Sequence, residues 1–256
     1  MTDFVRVWII PVDVPAETAA SCRDVLDDSE RARAAAFLSP RDQQRFIIAH
    51  GALRILAGRE LGAPPAALSW IPGQYGKPVL AAPWSGLQTS LSHSGDMIAA
   101  AIAAARPVGV DVQHLVPGLD TVGLSARFFP PEEAGYVAAG RDAGTRADRF
   151  ARLWARKEAV VKSAGGRLWP NLTIAVHDRD VVSCAEPASP HRVADICAPA
   201  GFRAAVALAG EAPFVLETAG WPGAGWGRGG LETRGWDFTA VRATAESQPR
   251  CSMPGG

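Results

Sequence analysis

Apolar residues recur along the first part of the chain at the spacings of a strand and of helices. Residues 4–14 are rich in β-branched side chains and predict an opening strand. Residues 17–37 predict a helical stretch, and residues 42–61 carry apolar side chains at helical intervals. Gly62 and the prolines that follow end this second helical segment.

The pattern then changes to short strands interrupted by helices. The run FFPPEE at 128–133 closes one helix and opens another, because proline and acidic residues suit the first turn of a helix. Residues 145–164 predict a long helix. Short apolar segments that predict strands lie at 87–92, 97–104, 108–113, 172–176, 203–209 and 213–217.

Beyond residue 217 no regular pattern remains. Residues 220–236 read GWPGAGWGRGGLETRGW and predict either a poorly ordered tail or one that docks by its three tryptophans. Gly225, Gly227 and Gly230 match the spacing GxGxxG, but no strand leads into a helix around them. The segment therefore does not predict a dinucleotide site.

Charge and composition exclude several classes of protein. The 26 basic and 26 acidic residues balance to a formal net charge of zero, so there is no general excess of positive charge to attract nucleic acid or a membrane surface. No segment approaches the roughly 20 consecutive apolar residues that span a bilayer. The first apolar run is interrupted too early for a signal peptide. We expect a cytoplasmic protein without nucleic-acid or membrane partners.

The strongest candidate for chemistry is the predicted helix at 145–164. Trp154, Glu158 and Lys162 are spaced four residues apart, so they lie along one face of a helix. The simplest alternative is a Glu–Lys pair on a helix surface, worth only about 0.2–0.5 kcal/mol, beside a core tryptophan. Basic residues exceed acidic ones around this helix, which suits a small polyanion.

The strand VGVDVQ at 108–113 carries a second group of polar side chains. Because side chains alternate along a strand, Asp111 and Gln113 are expected on the same side. An aspartate in an otherwise apolar strand needs a cation or a partner. Together with Glu158 these oxygens suit Mg²⁺, whereas the alternative for Asp111 is a buried ion pair with an arginine.

One loop offers groups that suit an anion, and a second loop carries a lysine but is by itself only a turn. SLSHSGD at 90–96 predicts a turn with hydroxyls and an imidazole, and a hydrolase triad of Ser92 or Ser94 with His93 and Asp111 is the alternative. That alternative lacks a GxSxG elbow. GQYGKP at 73–78 does not have the spacing of a P-loop.

The order of these motifs along the chain is more specific than any one of them. GKP at 76–78, LSHSG at 91–95, VGVDVQ at 108–113, RFF at 127–129 and LWARKEAVVK at 153–162 follow one another. The series resembles the single-chain (Sfp-type) 4'-phosphopantetheinyl transferases over about residues 30–216.

The resemblance implies an α+β fold of two similar α/β halves related by a pseudo-twofold axis, with coenzyme A between them. We accordingly expect an N-terminal half at 1–112, a C-terminal half at 113–217 and a Gly/Trp-rich tail at 218–256. It also implies a monomeric, Mg²⁺-dependent enzyme. Such an enzyme moves the phosphopantetheine group of coenzyme A to a serine of an acyl or peptidyl carrier protein and releases 3',5'-ADP. The carrier then serves a fatty acid, polyketide or nonribosomal peptide synthase.

The resemblance also assigns roles to particular residues. Asp111 and Glu158 match the magnesium ligands, and Glu158 also matches the residue that deprotonates the carrier serine. Lys162 matches the lysine at the pyrophosphate. The residues matched to coenzyme A are Arg31, Arg33, Arg45, Lys77, Pro78, Ser92, His93, Asp111 and Lys162.

Gln113 departs from the family pattern, which commonly has glutamate there. Its carbonyl oxygen remains a candidate metal ligand, but one negative charge is missing from the site. For this reason the alternative to the enzyme is a catalytically silent module that binds coenzyme A or a carrier protein.

Overall fold

The structure, a computed structural model, describes residues 3–73, 76–221 and 239–243. The α-helices are α1 (Ala16–Asp24), α2 (Asp28–Ala35), α3 (Pro40–Leu61), α4 (Thr121–Phe128), α5 (Pro131–Ala138), α6 (Ala143–Ala164) and α7 (Leu168–Asn171). The strands are β1 (Asp3–Pro11), β2 (Trp70–Pro72), β3 (Pro78–Leu80), β4 (Leu87–Ser94), β5 (Met97–Ala104), β6 (Val108–His114), β7 (Val181–Cys184), β8 (Ser189–Ile196), β9 (Phe202–Ala209), β10 (Phe214–Gly220) and β11 (Thr239–Ala243).

The same arrangement of elements occurs twice. In the first sheet, ordered β11-β10-β1-β5-β4, strand β1 is followed along the chain by α3 and then by the antiparallel pair β4 and β5. In the second sheet, ordered β6-β9-β8-β7, strand β6 is followed by α6 and then by the pair β8 and β9. In each repeat, the last of these three strands along the chain lies between the other two in the sheet: β5 between β1 and β4, and β9 between β6 and β8. The predicted α+β fold of two similar halves is confirmed.

The two long helices begin and end with the same local signals. Ser39 accepts a hydrogen bond from the amide of Asp42 at the start of α3, and Asp142 accepts one from Thr145 at the start of α6. Such caps satisfy amides that have no partner within the helix. Each helix has 22 residues and ends at a glycine in the left-handed conformation, with φ of 61° at Gly62 and 67° at Gly165.

Alternation along the strands separates three cores. One face of the first sheet packs against α3, and one face of the second sheet packs against α6. The remaining faces of the two sheets pack against each other through small and β-branched side chains. These include Val5, Val7, Ala99, Ala101, Val108, Val110, Val112 and Val206. In β6, the residues that alternate with these valines are Gly109 and Asp111.

Three predicted elements differ from the structure. The turn predicted at 90–96 is strand β4 as far as Ser94, because its backbone pairs with β5. The helical stretch at 17–37 is divided into α1 and α2, because Asp27 and Glu30 form a capping box that starts a new helix. Residues 172–176 form no strand. Their backbone groups bond to side chains instead: Lys157 donates to the carbonyl of Ile174, and Glu133 accepts from the amide of Val176.

The C-terminal part of the chain returns to the first sheet. β10 pairs with β1 in parallel, and β11 pairs with β10, so 239–243 are ordered within the segment predicted as a tail. Gly225, Gly227 and Gly230 lie outside the described residues. The domain limits drawn from the sequence stay a prediction, with β6 beginning the second sheet at Val108. Among the described residues, no helix is both long and apolar enough to cross a membrane.

Candidate active site

The site forms where β6 lies directly against α6, and Gly109 makes that approach possible. A Cβ atom at this position would lie 2.1 Å from the carbonyl oxygen of Ala159 and 2.3 Å from the amide nitrogen of Ser163. Both of these are backbone atoms of α6, so neither could rotate away. The glycine of the GVD motif therefore lets the strand bring Asp111 next to the last two turns of the helix.

Asp111, Lys162 and Ser92 form a compact polar cluster between the two halves. The ammonium of Lys162 donates to Oδ1 of Asp111 at 2.6 Å and to the hydroxyl of Ser92 at 2.9 Å. The Ser92 hydroxyl donates to the same Asp111 oxygen at 2.6 Å. Asp111 is thus held by a lysine rather than by the arginine considered as an alternative.

Glu158 faces the same cluster without pairing to Lys162. The ion pair expected from the i, i+4 spacing is not formed among the described residues, because Lys162 turns to Asp111. Burial raises the pKa of Glu158; the charge of Lys162 opposes this rise and that of Asp111 adds to it. Burial likewise raises the pKa of Asp111, and Lys162 opposes that rise. Two carboxyl groups therefore share one environment with a single nearby ammonium.

The donor set fits a divalent cation. Oδ2 of Asp111 is buried and has no hydrogen-bond partner in the described structure, which leaves an oxygen free to bind a metal. Oxygen atoms from a few carboxylates are the ligands that Mg²⁺ prefers, with substrate phosphate and water completing its shell. Within the described residues, however, no three His, Cys, Asp or Glu side chains form a group that could hold a metal alone.

Gln113 lies on the same strand but outside the polar cluster. Its amide donates to the carbonyl of His114 at 3.3 Å, and the side chain is half-buried. No hydrogen bond joins it to Asp111 in the part of the chain that is described. Its role as a metal ligand stays a prediction.

Serines on β4 join the two halves beside the cluster. The hydroxyls of Ser90 and Ser94 accept hydrogen bonds from the amides of Val110 and His114, each at 3.0 Å. Ser92, between them, bonds to Asp111 instead. The alternating serines of SLSHS are the sequence signal for this seam, although the sequence suggested only anion binding or a hydrolase triad for this segment.

The hydrolase triad is not formed. Ser92 bonds directly to Asp111 without an intervening imidazole, and His93 occupies the next position of β4. Partial burial lowers the pKa of His93, and the charges of Arg45 and Lys162 lower it further. A neutral imidazole in a positive field can still donate one hydrogen bond to an anion.

The other residues matched to coenzyme A make contacts of their own outside the cluster of Asp111, Lys162 and Ser92. Arg45 donates to the carbonyl of Gly95 at 3.3 Å, in the turn that follows His93. Arg31 pairs with Asp28 at 3.4 Å, and Arg33 lies over the ring of Phe46. Pro78 is exposed, whereas Lys77 points inward to backbone carbonyls of the second half. Contacts of all these residues with coenzyme A stay predictions.

Comparison with known proteins points to the same family as the order of the motifs along the chain. Residues 107–201 match the family model of the 4'-phosphopantetheinyl transferase superfamily. The chain is 34% identical over 167 residues to the 4'-phosphopantetheinyl transferase HetI of Nostoc sp., which covers 64% of this chain and 70% of HetI. The chain belongs to the 4'-phosphopantetheinyl transferase superfamily.

Further relatives of this superfamily come from other bacteria. The 4'-phosphopantetheinyl transferase of Bacillus subtilis is 32% identical over 136 residues, or 53% of this chain and 58% of its own length. The 4'-phosphopantetheinyl transferase AcpT of Escherichia coli K12 is 37% identical over 126 residues, or 47% of this chain and 62% of its own. The predicted enzyme class, a phosphopantetheinyl transferase, is confirmed.

Proposed function

We propose that this transferase moves the 4'-phosphopantetheine group of coenzyme A to a serine of an acyl or peptidyl carrier protein. The carrier would then serve a fatty acid, polyketide or nonribosomal peptide synthase. The observation that carries the proposal is the cluster of Asp111, Glu158 and Lys162, with one buried aspartate oxygen free, at the junction of the two halves.

Asp111 and Glu158 would hold Mg²⁺ through their carboxylate oxygens. Bound there, Mg²⁺ would stabilise negative charge on the pyrophosphate of coenzyme A. Affinity for the metal is expected to rise with pH, because both carboxyl groups have a raised pKa and must ionise to bind a cation. Gln113 would add at most a neutral oxygen, which is expected to weaken the site relative to glutamate.

The transfer requires a base and a group that neutralises the leaving phosphate. The serine hydroxyl of the carrier forms a bond to the β-phosphorus, and the bond from that phosphorus to the bridging oxygen breaks, so that 3',5'-ADP leaves. Glu158 would accept the hydroxyl proton, directly or through water; burial raises its pKa, which makes it a stronger base than an exposed carboxylate. Lys162 would stabilise the charge on the leaving phosphate.

Mass spectrometry of an apo carrier protein incubated with coenzyme A and Mg²⁺ tests the proposal. We expect the carrier serine to gain the mass of one phosphopantetheine group. Several carrier types that gain no mass, while coenzyme A still binds, would support the silent binding module instead. A panel of carriers would also identify the cognate one.

Substitution of Glu158 by glutamine tests its role in the same assay. We expect transfer to fall by about a hundredfold or more, since a general base typically contributes 10²–10⁴-fold. The melting temperature should change little because the side chain is only half-buried. Transfer at the wild-type rate would remove Glu158 from the mechanism.

Three further expectations from the sequence stay predictions. They are cytoplasmic localisation, a monomeric state and the absence of nucleic-acid and membrane partners.

A further inference from the structure

The loop before β3 sends Lys77 into the junction between the two halves. Its ammonium donates to the carbonyl of Val108 at 2.8 Å and to the carbonyl of Ser163 at 3.4 Å. Val108 is the first residue of β6, and Ser163 lies in the last turn of α6. One side chain of the first half therefore reaches both elements that carry the candidate active site.

Helix electrostatics explains why a cation is stable at this place. The carbonyls in the last turn of a helix lack partners within the helix and form the negative end of its dipole. No carboxylate pairs with Lys77 in the part of the chain that is described. Burial lowers its pKa to about 8, so the ammonium is largely retained at neutral pH. Its three rotatable donors can serve carbonyls from two different elements.

Hydrogen bonds within the second half also join the start of β6 to the end of α6. The Ser163 hydroxyl donates to the carbonyl of Pro107 at 3.0 Å and lies 3.0 Å from Nδ1 of His191. The start of β6 and the end of α6 are thereby held together. Lys77 adds hydrogen bonds from the first half to both of these elements.

These contacts lie one to three residues from the reactive groups. Lys162 directly precedes Ser163, and Asp111 follows Val108 by three residues. We propose that Lys77 is a positioning residue, which holds the start of β6 and the end of α6 at the spacing that brings Asp111 to Lys162. This role differs from the contact with coenzyme A expected from the motif, and it rests on the proposed function.

Lys77→Met tests the proposal because methionine removes the charge and the donors while keeping an unbranched side chain. The rate at saturating coenzyme A and apo carrier reports the alignment of the reactive groups. The dissociation constant of 3',5'-ADP, measured by calorimetry, reports contacts on the nucleotide side. We expect kcat to fall by about tenfold or more, since small displacements of reacting groups are costly. The affinity for 3',5'-ADP should change less than about threefold.

Arg23→Met is the matched control. Arg23 is also a cation in the last turn of a helix, α1, but it is exposed. We expect neither kcat nor nucleotide affinity to change. Absence of transfer by the wild-type chain would count against the proposed function. The ratio of the kcat of the variant to that of the wild type tests only the role of Lys77.

Two results would overturn the proposal. In the first, Lys77→Met weakens binding of 3',5'-ADP with kcat unchanged, which would make Lys77 a ligand of the nucleotide. In the second, kcat stays within about threefold of wild type. Lys77→Arg retains a cation with several donors, so a folded Lys77→Arg variant should lose less kcat than Lys77→Met. A folded Lys77→Arg variant that binds 3',5'-ADP more weakly than wild type while its kcat is unchanged would also overturn the proposal, even if Lys77→Met does not fold.

Discussion

Gly109→Ala is expected to damage the site through the backbone rather than through any reactive group. The added Cβ would lie 2.1 Å from the carbonyl oxygen of Ala159, whereas real Cβ atoms essentially never lie within 3.0 Å of a heavy atom in a residue that is not their chain neighbour. β6 and α6 would therefore have to separate by about 0.9 Å. The hydrogen bond of 2.6 Å between Asp111 and Lys162 would lengthen to roughly 3.5 Å, beyond a good hydrogen bond.

The expected cost has two parts. Overpacking of this kind typically destabilises a protein by about 1–3 kcal/mol. A displacement of about 1 Å at reacting groups costs about a hundredfold in rate, so kcat/KM should fall by that factor in the variant that remains folded. Formation of holo carrier, followed by mass spectrometry below the melting temperature of the variant, separates this loss from unfolding.

Gly135→Ala is the control for this substitution. Gly135 lies on the exposed side of α5, and nothing lies within 4 Å of an added Cβ. Alanine favours a helix over glycine by about 0.8–1.0 kcal/mol, so this variant should be slightly more stable with unchanged kcat/KM. If Gly109→Ala kept kcat/KM within about threefold of wild type, the argument that the strand must touch the helix backbone would be wrong.

Two further predictions concern stability away from the reactive groups. Lys157 and Glu133 form a buried ion pair of 2.6 Å, so Lys157→Met should lower the free energy of unfolding by about 3–5 kcal/mol in urea denaturation. Adding Glu133→Gln to this variant should recover much of the lost stability, because it removes the unpaired buried charge. Glutamine keeps an acceptor for the amides of Val176 and His177. If no stability is recovered, the unpaired charge of Glu133 is not the cause of the loss. For His191, burial lowers the pKa from 6.5 to about 4, so the unfolded chain binds the proton more tightly. Stability should therefore fall as the pH drops from about 6.5 to 4, by up to about 3 kcal/mol, and His191→Gln should lack this part of the pH dependence. An unchanged pH profile in His191→Gln would exclude His191 as its source.

Much of the fold could be predicted because its signals are local. The caps at Ser39 and Asp142 and the glycines that end α3 and α6 act within one turn of each helix. Alternation in β6 correctly separated Asp111 from the valines of the sheet core. The break between α1 and α2 is also local, since it depends on Asp27 and Glu30, but helical periodicity on both sides obscured it.

The partners of the lysines could not be predicted from the same signals. Lys157 belongs to the motif that suggested chemistry, yet it forms a buried ion pair with Glu133 and bonds to the carbonyl of Ile174. Those bonds also explain why 172–176 is no strand. Only Lys162 of this motif reaches Asp111, and Lys77 turned inward from a loop that suggested a ligand contact.

Sequence by itself determined the family motifs, the two long helices and the face of the strand on which Asp111 lies. The tertiary structure decided that Ser92 and Lys162, which are 70 positions apart, share one carboxylate oxygen, and that the second oxygen stays free. Periodicity specifies which face of an element is buried, but it contains no information on which distant element covers that face. Hydrogen bonds and ion pairs between the halves depend on that packing, because they act over only a few ångströms.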